Sequence, residues 1–492
     1  MNTKGLTEGL VIATLVLAAV LSVGAVGAED VTIGVLYPFS GDLGIYGEPE
    51  TDAMKMAVGE VNENGGVLGG RLKLIIMDTE TSEVVALAEA QKLLDLYNVS
   101  IIIGTAGSET CKAIIGYTTS NGVLLISPAA TGVEFTTYPD NDLFFRTCPS
   151  DELQGIAMAR LAIQQGYKTA STLVVWNPYG IGFEKAFTKR FETLGGKVLE
   201  SVRYDPDRTT FNSEVEKVAA VNPDFVMLCA YPETGSVILK TAYKKGYMDN
   251  IAWLLSEGLI SDELADMVGK DEAGNYIIAG LKGTTPDPRV MGPAYDTFEQ
   301  NYIAEFGKKP ISYCANSYDA VAVVALAIEK AGDSSGTAIR DSLRDVANPP
   351  GDKEVSDIGE ALDTIREGFY SINYQGASGE ITFDEHGDVM GSYCEWTIAD
   401  NGRVVYGTPI ELKGPIVPST PSPKPTVVET PEPTVAETPE PTVAETPEPT
   451  VAETPTPTVA ETPTPTPPGF EVVFAIASIF AVVFLVRIRK RA

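Results

Sequence analysis

Four short stretches carry polar residues suited to gripping a small solute: GTAGSETC at 104–111, ISPAATG at 126–132, CAYPETG at 229–235 and SEGL at 256–259. Each follows an apolar run that reads as a buried strand. ISPAATG turns at once from Gly122-Val123-Leu124-Leu125-Ile126 to small residues, which leaves backbone N–H and C=O groups approachable. Ser127 and Thr131 add hydroxyls that both donate and accept. Such a loop suits a small zwitterion better than a metal or a phosphate. In GTAGSETC, Ser108 and Thr110 stand at a helix start, where unpaired N–H groups and the helix dipole favour a carboxylate. Each residue also has an ordinary reading: Ser108 as an N-cap, Thr131 as a turn residue, Tyr231 as rim packing, Glu257 as a solvated cap.

The elements that must position these loops alternate regularly. Apolar runs at 31–37, 72–77, 101–103 and 123–126 read as strands, and Met54, Ala57, Val58 and Val61 fall at helical spacing before a stop at Gly65-Gly66. The pattern repeats with runs at 173–176, 198–204, 225–228, 253–255 and 277–279. Alternation of this kind predicts an α/β fold, parallel sheets flanked by helices on both faces. So many strands predict two lobes rather than one sheet. Open sheets bind ligands beyond the carboxyl ends of their strands, where the four loops lie.

Composition excludes several functions. A net charge of −31 over 492 residues argues against a nucleic-acid partner and against attraction to anionic lipid. The five cysteines are spread without a CxxC, and His386 is the single histidine, so neither a His/Cys metal site nor a His-based triad can be built. An odd number leaves at least one thiol unpaired within the chain, and buried free thiols are the expectation. FDEHGD at 383–388 reads as a hairpin turn rather than a calcium loop. No nucleophile and base pair appears, which predicts no enzyme activity, no cofactor and no metal.

Both ends read as addresses. Residues 1–28 fit a signal peptide: Lys4, an apolar stretch from 10 to about 26, and Val26-Gly27-Ala28 before Glu29. Residues 413–468 form a stalk containing TVVETPEP, TVAETPEP, TVAETPEP, TVAETPTP and TVAETPTP. Proline excludes helix and ladder, so this segment reads as an extended tether that could reach about 150 Å. It also permits O-glycosylation. An uncharged segment at 472–486 then precedes Arg487-Ile488-Arg489-Lys490-Arg491, a short membrane span with its basic end in the cytoplasm. Pro468-Gly469-Phe470 before that span resembles the PGF-type sorting signal of archaeal surface proteins. The resemblance implies cleavage by a membrane archaeosortase and a lipid anchor, within a tail at 469–492.

The middle of the chain carries a second resemblance. LYPFSGDLGIYGEPETDAMKMAVGEVNENGGVLGGRLKLIIMDTE, IIIGTAGSETCKAI, VLLISPAATGVEF, FFRTCPSDELQGIAMA, PYGIGFEKAF, PDFVMLCAYPETG and GEITFDEHGD together resemble the branched-chain amino-acid type of periplasmic binding protein. This is the type I solute-binding family that feeds ABC importers, and the likeness runs in order through residues 30 to 410. It implies a two-lobed ligand-binding domain at 29–412, with lobe 1 at about 29–147 and 280–385 and lobe 2 at about 148–279 and 386–412. The lobes close over the ligand by hinge rotation.

Carried over residue by residue, the resemblance assigns Ser108, nearby N–H groups, Thr131 and the main chain near Tyr231 to an α-carboxylate. It assigns the Ala129 carbonyl, the Thr131 hydroxyl and Glu257 to an α-ammonium, and places Tyr46 and Tyr179 at the mouth against the side chain. The early disulfide of bacterial relatives has no counterpart, since DTETSE lacks cysteine. The loop at 284–292, implied to shape the side-chain pocket, diverges as well. The implied partners are an amino acid of branched-chain type, ABC permease and ATPase subunits, and the membrane at the cell surface. Alternative readings are an amide, urea or small-carboxylate binder, or a surface receptor for a small metabolite. From the tail we expect the mature surface protein to lack the residues after about 468. Mass spectrometry of the native C-terminal peptide tests this, and retention of Arg487 to Ala492 would defeat the sorting reading.

Overall fold

The computed structural model describes residues 29–290, 292–369, 371–414 and 416; apart from 413, 414 and 416 at the start of the stalk, the signal-peptide, stalk and tail readings fall outside the described residues. β1 (Val31–Tyr37) is apolar and almost wholly buried, which suits the interior of a parallel sheet covered on both faces. β2 (Leu72–Asp78), β3 (Ile101–Gly104), β4 (Leu124–Ser127) and β5 (Phe144–Arg146) join it in the order β2-β1-β3-β4-β5, all parallel. Crossovers run through α1 (Gly44–Glu63), α2 (Glu83–Tyr97) and α3 (Ser108–Ser120). In α1 the predicted Met54, Ala57 and Val61 are buried, and the helix stops where Gly65 and Gly66 take φ of +90° and +74°.

The second sheet follows the same logic. Its strands are β6 (Thr169–Val175), β7 (Lys197–Tyr204), β8 (Phe225–Cys229), β9 (Ala252–Leu255) and β10 (Lys282–Pro286). They alternate with α4 (Asp151–Gln164), α5 (Pro178–Thr193), α6 (Asn212–Ala220), α7 (Pro232–Lys244) and α8 (Leu264–Val268). The chain then returns to the first sheet through α9 (Pro293–Phe306), α10 (Cys314–Ala331), which packs along α1, and α11 (Gly336–Ala347). A three-stranded sheet of β11 (Glu354–Val355), β12 (Asn373–Gly376) and β13 (Gly379–Glu380) comes next, with α12 (Ile358–Arg366) between its first two strands. Finally β14 (Tyr393–Ile398) and β15 (Val404–Ile410) add antiparallel to the second sheet, whose order is β15-β14-β10-β9-β8-β6-β7. The fold is α/β with two lobes.

Three sequence expectations need correction. Residues 277–279 form a turn, with Ile278 fully buried as a plug; the strand comes afterwards, at Lys282–Pro286. That strand pairs with β9 and β14, so the second sheet holds residues that the sequence reading gave to lobe 1 from 280 onward. The stretch 383–388 is a tight turn, with Asp384 N–H donating to the Asp388 carbonyl at 2.9 Å, but no strand ladder flanks it. All five cysteines are buried and free.

Arg146, at the end of β5, is wholly buried and binds this turn. Its Nε donates to Asp388 Oδ1 at 2.6 Å and its Nη2 to Oδ2 at 2.7 Å, a two-pronged charge-assisted contact. Its Nη1 donates to the carbonyls of Gly132 at 3.0 Å and Ala130 at 3.3 Å. One guanidinium thus ties the ISPAATG loop to the segment that re-enters the second sheet. Removing one partner of a buried pair leaves the other charge uncompensated. Asp388→Ala should therefore cost about 3–5 kcal/mol of folding stability. An unchanged denaturation midpoint would remove this role for the pair.

Candidate functional site

One cavity between the two lobes is lined by Leu43, Tyr46, Glu50, Ala106, Ser108, Ala129, Thr131, Tyr179, Tyr231, Glu257, Gly258, Ser312 and Tyr313. All seven residues singled out from sequence are in this lining. They come from the carboxyl ends of β3, β4, β8 and β9 and from the first turns of α1 and α5. Ser127 is the loop hydroxyl that does not face it: Ser127 Oγ donates to the Thr105 carbonyl at 2.8 Å and accepts from Ala130 N–H at 2.9 Å, closing the turn.

The hydroxyls at the site have their polarity set by what else they bind. Ser108 Oγ accepts from Gly132 N–H at 3.1 Å, so its own O–H remains to donate. Gly132 permits this approach, because a Cβ there would lie 3.0 Å from the Phe135 ring and 3.2 Å from Ser108 Oγ. Thr131 Oγ1 donates its only proton to Asp151 Oδ2 at 2.8 Å, so toward a ligand it can only accept. Asp151 N–H donates in turn to the Thr131 carbonyl at 2.9 Å, fastening the loop to the start of α4. The cavity therefore has a donor end at Ser108 and an acceptor end at Thr131.

Glu257 extends the acceptor end. It is buried, accepts from the Gln154 side-chain amide, and burial pushes its carboxyl up to about 7 against the opposing effect of Tyr179 and Gln154. Burial also raises Asp151, with the Glu257 charge adding to it. The Arg146 guanidinium opposes the rise of Asp151, and an ammonium entering the cavity would oppose both rises in the same way.

Aromatic side chains bridge the lobes. Tyr46 OH reaches from α1 to the carbonyls of Gly258 and Ile260, each at 3.2 Å. The Tyr179 and Tyr231 rings stack at 5.6 Å and 10°. Tyr179 OH accepts from Gly258 N–H at 3.3 Å. Sequence reasoning missed Glu109, whose Oε2 accepts from Asn177 Nδ2 at 2.9 Å and Tyr231 OH at 3.1 Å, both on the other lobe. Burial raises it to about 7. Its position next to Ser108 at a helix start was a visible signal. Leu43, Glu50, Ala106, Ser312 and Tyr313 were also missed. The expected loop at 284–292 instead lines an adjoining hollow, through Thr285, Pro286 and Pro288, because β10 carries it behind Tyr313.

Comparisons with known proteins agree with the two-lobed α/β fold. The family model described as a periplasmic binding protein matches residues 30–357, and the PGF-CTERM motif matches residues 468–487. A chemotactic signal transduction system substrate-binding protein from Halobacterium salinarum is 27% identical, covering 76% of this chain and 88% of its own. A leucine-, isoleucine-, valine-, threonine- and alanine-binding protein from Pseudomonas aeruginosa is 26% identical, with coverages of 65% and 83%. Among solved structures, a leucine-binding protein from Thermotoga maritima superposes with a TM-score of 0.66 at 26% identity, over 77% of this chain and 98% of its own.

The raised carboxyls carry a pH signature. Glu109 and Glu257 keep their protons up to about 7 in the fold, against an ordinary 4.5, so the folded chain binds more protons than the unfolded one in that window. Their contribution is present at the acid side and is lost as pH rises through about 7. The thermal midpoint of the unliganded protein should fall between about pH 5 and 8. Glu109→Gln and Glu257→Gln should each flatten that slope, and a slope untouched by both would contradict the assignment.

Proposed function

As this chain belongs to the periplasmic binding protein family, whose members bind solutes, we propose that it is the extracellular capture subunit of an ABC importer, clamping an α-amino acid of branched-chain type between two lobes. The observation that carries this reading is the fixed polarity of the cavity. Ser108 offers a proton to a carboxylate, while Thr131, Ala129 and Glu257 offer acceptors to an ammonium. Tyr46 and Tyr179 close the mouth over the side chain, and Tyr231 contributes main chain beside the carboxylate. A zwitterion satisfies both ends at once with charge-assisted bonds; an amide or a urea meets them with neutral bonds only, and a simple carboxylate meets one. The names of the relatives from Pseudomonas aeruginosa and Thermotoga maritima support the choice of ligand class.

The same reading places the lobes outside the cell. A signal peptide at 1–28 is removed, the 413–468 stalk spaces the domain at 29–412 from the outer face of the cytoplasmic membrane, and the 469–492 tail anchors it, with an archaeosortase as the processing enzyme. Delivery goes to a membrane permease with its ATPase. The Halobacterium salinarum relative favours a second reading, in which the closed form reports to a signal transducer instead. The membrane protein that co-purifies with the ligand-bound form distinguishes the two.

Glu257→Gln tests the head-group assignment. Loss of one charge from a closed, water-poor contact should weaken amino-acid binding by about 2–5 kcal/mol. Analogues lacking the α-amino group should bind the parent poorly and lose little more in the variant. Unchanged amino-acid affinity by calorimetry on folded protein would remove the amino-acid reading and promote an uncharged amide or a carboxylate.

A further inference from the structure

With the head-group contacts assigned, the remaining walls of the cavity are Tyr179 and Gly258 together with Leu43, Tyr46, Glu50, Ala106, Ser312 and Tyr313. This end is not purely apolar. Tyr313, just before α10, holds φ of +63°, a conformation that bulky residues adopt rarely, and it lines both the cavity and the adjoining hollow that Thr285, Asn316 and Tyr406 also line. Its hydroxyl oxygen is buried and has no hydrogen-bond partner in the structure. A buried hydroxyl without a partner is costly, so a ligand group that meets it gains the whole of that difference.

Glu50 provides a second polar feature. It is buried on α1, one turn beyond Tyr46, and its Oε2 accepts from Tyr37 OH at 2.6 Å. Burial pushes it up to about 8, so at neutral pH it carries a proton that it can donate. An aliphatic side chain would cover both groups without satisfying either.

We infer that Tyr313 is a specificity-determining residue, its hydroxyl bonding to an oxygen or nitrogen on the ligand's side chain, so that the cavity selects amino acids with a polar side-chain end over aliphatic ones of the same size. This rests on the amino-acid reading above and narrows it to side chains such as that of threonine, which is branched and carries a hydroxyl. A site built around a hydrogen bond rejects the analogue that lacks the partner far more strongly than an apolar pocket rejects a lost methyl group.

Three near-isosteric pairs provide the test: threonine against valine, asparagine against leucine, and glutamine against methionine. Each is titrated by calorimetry into the purified full chain and into Tyr313→Phe and Glu257→Gln, with thermal melts to confirm folding. The parent should favour the polar member of at least one pair by about tenfold or more. Tyr313→Phe should abolish that preference, whereas Glu257→Gln should weaken both members alike. If the aliphatic member wins all three pairs while Glu257→Gln still weakens binding, the inference falls and the amino-acid reading stands. A polar preference that survives Tyr313→Phe overturns the role of this hydroxyl. Binding by none of the six overturns both.

Discussion

A guanidinium sealed beneath the ligand loop is the contact on which the site's geometry depends. Arg146 ends β5, where the chain first leaves one lobe for the other, and Asp388 precedes β14, where it crosses for the last time. Their two-pronged contact pins both crossings together. The same side chain holds the carbonyls of Ala130 and Gly132, which flank Thr131. Those carbonyls are turned away from the cavity, and Thr131 is left facing it. Hinge and recognition loop therefore share one support, and neither can shift without disturbing the other.

Above that support the cleft concentrates acids. Glu50, Glu109, Asp151 and Glu257 are all buried and all raised above the ordinary carboxylate range, chiefly by burial. Such a cavity is electrostatically incomplete. A cation entering it relieves like-charge repulsion and donates to carboxylate oxygens that protons otherwise occupy. On the amino-acid reading, the donor at Ser108 would then meet the negative end of the same molecule.

Most of the site was legible in the sequence because parallel sheets put their functional loops at one edge, and those loops announce themselves by a sudden change from Val, Ile and Leu to Gly, Ser and Thr. GTAGSETC and ISPAATG show this without ambiguity. Tyr313 and Glu50 gave no such sign. Glu50 lies within a helix whose pattern explains its neighbours as core, and Tyr313 reaches the cavity only because α10 packs along α1, a tertiary contact between segments more than two hundred residues apart in the chain. The antiparallel additions to the second sheet were missed for a related reason. β14 alternates Cys394, Trp396 and Ile398 with the less buried Glu395 and Thr397, a period-two signal that is weak over six residues.

The opposed hydroxyls have a stereochemical consequence. On the amino-acid reading, a donor at Ser108, acceptors at Thr131 and Glu257, and a side-chain wall at Tyr313 would make three unlike points of attachment around one carbon. Three unlike points that are not collinear can match only one hand of an α-carbon. An amino acid and its mirror image present the same three groups, yet the mirror image must surrender one of them to seat the other two. Because the only proton of the Thr131 hydroxyl is committed to Asp151, that hydroxyl cannot reverse its role to accommodate the exchange. On the amino-acid reading, enantiomer discrimination is therefore helped by one hydrogen bond that never touches the ligand, from Thr131 to Asp151.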